Sequence, residues 1–226
     1  YQTCPRKYWY EYVRRITPRK RTTALDFGSA WHLALSRLFQ GWNVQDAVTT
    51  FESAFVDDPE DSLRTRATAR RMLGLYAERH PHDALTILGD ERWIALPIAP
   101  GVIYRMQIDK LVQWNGELYV MEHKTTSGYT GISPYYLKSF KPNLQLRGYI
   151  RGVQVTVSPD YRKALIDISW VGRTDPKSGE RFLRYEEAVE PWELEEFDRT
   201  VKQVAGDLEN LQEHGNQFDH FTPDFS

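Results

Sequence analysis

The chain is expected to form one α/β domain with a helical N-terminal part, on three observations. Apolar residues over the first 80 positions recur at helical spacing. Between residues 91 and 125 the period shortens to two, and helical and strand-like runs then alternate towards the C-terminus. Hydrophobic residues make up 41% of the 226 and aromatics 13%, enough to build a core.

Residues 5–16 read as a helix with Tyr8, Trp9, Tyr12, Val13 and Ile16 on one stripe, and Pro5 suits its first turn. Over 24–39, Phe27, Ala30, Trp31, Ala34, Leu35 and Leu38 form a stronger stripe. Residues 44–56 and 60–79 also read as helices, and Pro81 ends the second. Strands are expected over 91–98, 102–114 and 117–125, a helix opened by Pro142 over 142–156, and strands over 164–172 and 181–188. A long helix over 191–214 carries Leu194, Phe197, Val201, Val204, Leu208 and Leu211 as a narrow seam, with Gly215 as its stop. That seam docks on the domain or on a partner, the first being the commoner outcome. The chain reads as a single domain over 1–226: a helical part over 1–80, a sheet core with a further helix over 85–189, and an acidic helix and tail over 190–226.

The formal net charge of −2 conceals an asymmetry. Residues 1–21 sum to +6 and residues 186–226 to −10. The basic head, with Arg14 and Arg15 among its cations and tyrosines between them, suits phosphates and stacked bases, or else is a solvated helix with a buried aromatic face. Cys4 is the single cysteine, which rules out an intrachain disulfide or a cysteine-based zinc cage and points to a reducing, cytoplasmic compartment. No apolar run approaches the roughly 18–20 residues of a membrane span. The chain starts at Tyr1 with no charged-then-apolar leader, so no signal peptide is expected, and the sequence reads as a piece of a longer product. A phosphate-binding Gly-rich loop and a Gly-x-Ser-x-Gly elbow are both missing from the sequence, and His80 and His82 lack zinc spacing.

Chemistry concentrates around Asn115-Gly116, a two-residue turn signal between strand-like runs. If the register is regular, Asp109 falls opposite Glu122 and Gln107 opposite Lys124. Facing carboxylates repel, so a shared proton or a cation must compensate. Oxygen ligands at this spacing suit Mg²⁺ or Mn²⁺, which can polarise a phosphate and acidify a bound water. Lys124 projects from the same face as Glu122, where its ammonium could stabilise developing charge or simply pair with Glu122. His32 lies off the apolar stripe of its helix, so it is either a surface histidine or a ligand.

Four blocks in order give these residues a context. Cys4-Pro5-Arg6-Lys7-Tyr8, Gly28-Ser29-Ala30-Trp31-His32, Ile108-Asp109-Lys110 followed by Glu122-His123-Lys124-Thr125, and Gln145-Leu146-Arg147-Gly148-Tyr149 together resemble the RecB-like branch of the PD-(D/E)XK nuclease superfamily. The resemblance covers residues 4–149. It implies a restriction-endonuclease-like core with a central mixed β-sheet flanked by helices. It implies phosphodiester hydrolysis on DNA, usually exonucleolytic, with Mg²⁺ or Mn²⁺, in a recombination or repair setting that could include a protein partner. Carried over by position, His32, Asp109 and Glu122 would be metal ligands, joined by the His123 carbonyl, and Lys124 would be the catalytic lysine. Gln145 and Tyr149 would support the site or the DNA, though plain helix packing also accounts for them. Many relatives hold an iron–sulfur cluster through a cysteine in the opening motif and three more near the C-terminus. Cys4 fits the first position, but a four-cysteine cluster is impossible on this sequence alone and needs further cysteines beyond Ser226.

Overall fold

The computed structural model describes residue 11 and residues 15–16, 21–80, 85–129, 131–177 and 179–213. Of the helix expected over 5–16, residues 5–10 and 12–14, Arg14 included, lie outside the described residues, as do Cys4, Pro81 and Gly215, while Arg15 and Ile16 are exposed and not helical, which corrects the expected end of that helix.

Helix α1 (Thr23–Phe39) starts where the Thr22 hydroxyl accepts the Leu25 N–H. Its stripe of Phe27, Ala30, Trp31, Ala34 and Leu35 is buried, as the period requires. It packs with α2 (Val44–Ala54) and α3 (Arg66–Arg79), and the Phe27 ring lies 5.0 Å from Phe51 and 5.4 Å from Phe55. Helix α3 begins six residues later than expected. Asp58 and Asp61 accept the N–H groups of Glu60, Leu63 and Arg64, holding that stretch in turns that compete with a helix.

Strand β1 (Leu85–Ala99) starts six residues earlier than expected. Gly89-Asp90-Glu91 looks like a break, and Glu91 does take φ 26°, but pairing with β2 (Val102–Trp114) carries the strand through it, with a register shift between Ile87 and Gly89. The turn into β3 (Glu117–Thr126) has positive φ at both Asn115 (51°) and Gly116 (82°), as its residues demand.

The β2–β3 ladder keeps the expected register from Trp114↔Glu117 to Lys110↔Met121 and stops there. Asp109↔Glu122 and Gln107↔Lys124 are not rungs, which corrects the expectation, and Gln107 pairs instead with Trp93 of β1. Met106 and Ile108 share a core cluster with Leu111, an odd step along one strand, so β2 turns over at Asp109–Lys110 and leaves β3.

The chain then crosses through the short α4 (Pro134–Lys138), which the sequence did not reveal, and α5 (Leu144–Thr156) to β4 (Lys163–Trp170), parallel to β3. Helix α5 opens at Asn143, whose side chain accepts the Leu146 N–H, leaving Pro142 outside. Antiparallel β5 (Phe182–Ala188) completes a mixed sheet of order β1-β2-β3-β4-β5. Helix α6 (Pro191–Glu213) returns over α5. Leu194, Phe197 and Val201 of its seam are buried with Leu146, Ile150 and Val153 against Val120, Ile166 and Ile168 of the sheet. Helices α1–α3 thus cover one face of the sheet, α5 and α6 the other, and β3 runs between the layers. No helix among the described residues is long and apolar enough to cross a membrane.

Candidate active site

Strand alternation divides the Glu122-His123-Lys124 triplet between the two faces. Glu122 and Lys124 face α5. Glu122 is 4% exposed, and its Oε1 lies 2.5 Å from the Lys124 ammonium. Gln145 accepts from Lys124 at 3.2 Å and donates to the Tyr149 hydroxyl at 2.5 Å and to Glu122 Oε1 at 3.4 Å. The one-turn spacing of Gln145 and Tyr149 therefore builds a polar bracket around the lysine–glutamate pair. Glu122 Oε2 is buried and has no hydrogen-bond partner among the described residues.

Asp109 joins this group from the point where β2 leaves β3. Its Oδ2 accepts the backbone N–H of His123 at 2.7 Å, and its Oδ1 lies 3.6 Å from His32 Nδ1. His32 reaches in from α1, one helical turn after Gly28. A Cβ on Gly28 would lie 3.5 Å from Thr125 Oγ1, an ordinary contact distance, so this turn of α1 rests directly against β3. The sequence-predicted set His32, Asp109, Glu122, Lys124, Gln145 and Tyr149 is thus assembled at one place, although Asp109 and Glu122 meet without a shared rung.

Electrostatics set the two carboxylates apart. Burial and the Asp109 charge push Glu122 above the ordinary carboxylate range, with Lys124 opposing. Burial would raise Asp109 too, but His32 and the His123 N–H outweigh it and hold Asp109 low. Burial would lower His32, and Asp109 outweighs it, so the imidazole is raised. A buried carboxylate oxygen with no donor, beside a second carboxylate, carries an unmet desolvation cost. Hard cations meet that need, and the donor set of one imidazole and two carboxylates fits a divalent ion. Among the described residues, however, no three His, Cys, Asp or Glu side chains form a ready-made metal cage.

The His123 ring turns to the opposite face. Its Nδ1 lies 2.9 Å from Asp167 Oδ2, which also accepts the Tyr76 hydroxyl at 2.6 Å. His123, Asp167 and Arg184 occupy one rung across β3, β4 and β5. The ring also stands 5.6 Å from the His32 ring, centre to centre. Sequence reading missed Asp167, Tyr76 and Arg184. The available signal was an acidic residue inside the apolar run Ala164–Trp170, where an unpaired charge cannot sit.

A cleft of about 340 Å³ opens beside Lys124, with Gly28, Ser29, His32, Arg64 and Thr125 in its wall. Arg64, also missed, is held by Asp61 Oδ2 at 2.8 Å and Ser127 Oγ at 2.6 Å.

Comparison with known proteins bears on the fold and the family. A protein from Eubacterium rectale, provisionally named an exonuclease, superposes with a TM-score of 0.55 at 12% identity over 98% of this chain and 84% of its own. At that identity the likeness concerns the fold alone. The structure named SSO0001 aligns over 88% of this chain and 82% of its own at 14% identity, with a TM-score of 0.37 that carries no argument. No curated protein matches the chain. The family described as the PD-(D/E)XK nuclease superfamily matches residues 1–221, and the chain belongs to that superfamily.

Proposed function

We propose that the chain is a divalent-metal-dependent DNA exonuclease, acting on DNA ends in recombination or repair in the cytoplasm. The observation that carries the reading is Glu122, buried beside Asp109 with one carboxylate oxygen left without a donor. His32, Asp109, Glu122 and the His123 carbonyl are the groups that would hold Mg²⁺ or Mn²⁺. When bound, such an ion polarises a phosphate and acidifies water.

The chain's own residues supply the rest. Hydrolysis joins a water oxygen to phosphorus and breaks a phosphorus–ester oxygen bond, and the leaving oxygen ends with a proton. Charge builds on the phosphate oxygens meanwhile. Lys124 is partly exposed to the cleft, and its ammonium has three N–H donors, of which Glu122 and Gln145 engage two. The third is the one that would meet the charge developing on the phosphate. Gln145, fixed by Tyr149, gives the ammonium a second acceptor beside Glu122 and so sets its direction. The preference for ends draws its support from the family resemblance and from the name given to the Eubacterium rectale protein. A protein partner in that pathway, and a cluster involving Cys4 in a longer chain, belong to the same reading.

End-labelled linear DNA and covalently closed DNA, each incubated with Mn²⁺, Mg²⁺ or EDTA, test the proposal. The expected result is degradation of the linear substrate with metal only, and an intact closed circle. Cutting of the circle would make the protein an endonuclease. Binding without cleavage under every metal would leave a silent DNA-binding module.

A further inference from the structure

Asp167 interrupts the apolar run of β4 and is 1% exposed. Its partners come from three other elements. His123 of β3 donates from Nδ1 to Oδ2 at 2.9 Å, Tyr76 of α3 donates to the same oxygen at 2.6 Å, and Arg184 of β5 lies 3.6 Å from Oδ1. Arg184 balances the buried charge. Stability alone would be served as well by apolar side chains at both positions, because replacing a buried ion pair in this way is often neutral or stabilising. The charge is therefore better explained by what it holds in place.

What it holds is the His123 ring. An ionised carboxylate only accepts, so it keeps a proton on Nδ1 and fixes a side-chain torsion that is otherwise broad. Nε2 is buried and has no hydrogen-bond partner among the described residues, so no second bond competes to turn the ring. Two rings of α1 rest against it: His32 with centres 5.6 Å apart and planes at 72°, and Phe39 at 5.4 Å and 32°. His32 and Phe39 are two helical turns apart and share a face of α1. Helix α1 thus meets β3 through the His123 ring, at the place from which His32 approaches Asp109. The backbone of His123 is held as well, because its N–H donates to Asp109 Oδ2 at 2.7 Å. One residue therefore touches both His32 and Asp109, and its carbonyl is among the groups that would hold the ion.

We propose that Asp167 is a positioning residue of the metal site: by fixing the His123 ring it sets where the His32 imidazole and the His123 carbonyl stand before an ion arrives. It touches neither ion nor substrate. Carboxylates behind metal sites commonly orient a ligating histidine directly. Here the oriented ring is not the ligand but the surface on which the ligand His32 packs. The inference rests on the metal-dependent reading and deepens it by adding a residue behind the ligands.

The test combines titration calorimetry with Mn²⁺, in the absence of DNA, and imidazole NMR spectra of the metal-free protein. Asp167→Leu made together with Arg184→Met removes both charges at once. His123→Phe keeps the ring volume, the N–H and the carbonyl but has no Nδ1–H, and it leaves Asp167 paired with Arg184. Tyr76→Phe takes one hydrogen bond from Asp167 and leaves the bond to His123. The paired substitution and His123→Phe, each folded by circular dichroism, should bind Mn²⁺ about tenfold or more weakly than the parent, the range for residues that orient metal ligands. Tyr76→Phe should retain nearly the parent's affinity. In the metal-free parent, His123 should have its proton on Nδ1 and its ring should cross-relax with that of His32, and the paired substitution should lose both signatures. Unchanged Mn²⁺ affinity in His123→Phe, or an equal loss in Tyr76→Phe, would overturn the positioning role. An unaltered His32–His123 contact after the paired substitution would do the same. A parent that binds no Mn²⁺ would sink the metal reading instead, and the imidazole spectra, which need no metal, then decide the positioning role on their own.

Discussion

The Asp109 carboxylate accepts the backbone N–H of His123 at 2.7 Å, where β2 has left β3 and no ladder rung forms. One side chain thus replaces a backbone acceptor and is brought next to Glu122 by the same bond. Asp109→Asn retains an acceptor for that N–H, whereas Asp109→Ala does not. The two variants should separate structure from chemistry. We expect Asp109→Asn to stay within about 1 kcal/mol of the parent in denaturant unfolding, because lost charge assistance is offset by relief of the like-charge pair. Asp109→Ala should be less stable than Asp109→Asn. Both should lose cleavage, and wild-type turnover by Asp109→Asn would remove the carboxylate from the chemistry.

His32 should report on the identity of the ion. An imidazole added to two carboxylates favours Mn²⁺ over Mg²⁺, because nitrogen suits the softer ion. Activity should be higher in Mn²⁺, and His32→Ala should weaken Mn²⁺ binding in titration calorimetry by roughly tenfold or more. An unchanged affinity would show that the 3.6 Å approach to Asp109 is only a surface pair.

The α5–α6 contact makes a prediction about acid stability. Arg147 is buried and donates to Glu193 and Glu196 at 2.8 Å each, and the Glu190 N–H also donates to Glu193. Burial would raise Glu193, but the Glu190 N–H and the guanidinium outweigh it and hold its carboxyl below the ordinary range. A depressed folded-state value gives stability that is present above the unfolded value, about 4.3, and is lost as pH falls through the folded one. Glu193→Gln should therefore cost about 1–3 kcal/mol at neutral pH, with Glu196 still neutralising part of Arg147. It should also flatten the fall in the denaturation midpoint below about pH 5. Parallel acid limbs in both proteins would place the titration elsewhere.

What could be read from the sequence was what short segments determine. The α1 stripe follows from its own period, and the Asn115-Gly116 turn follows from two residues that tolerate positive φ. The candidate site residues were visible because four short blocks, taken in order, resemble those of the superfamily's RecB-like branch. The start of β1 was hidden because Gly89-Asp90-Glu91 favours a turn locally and only the long partner strand overrides it. The end of the β2–β3 ladder was hidden because a hairpin rule assumes that both strands stay flat. Asp167 was missed because its partners, Tyr76 and His123, lie 91 and 44 residues away and no local pattern announces them.

Lys124 separates catalysis from coordination. Its protonated ammonium has no lone pair to offer a cation, and it lies 2.5 Å from Glu122 Oε1, so it competes with a metal for that carboxylate. Lys124→Ala should therefore retain Mn²⁺ binding or tighten it. Cleavage should nevertheless fall by about 10²–10⁴-fold, the range for losing a positioned electrostatic or proton-transfer group. If Lys124 were only a counterion, partly exposed as it is, its removal would leave turnover nearly unchanged. Single-turnover cleavage and metal titration on one preparation of the variant decide between these. Near-normal cleavage defeats the catalytic role. Loss of metal binding would show instead that Lys124 holds Glu122 in place and that the site has come apart without it.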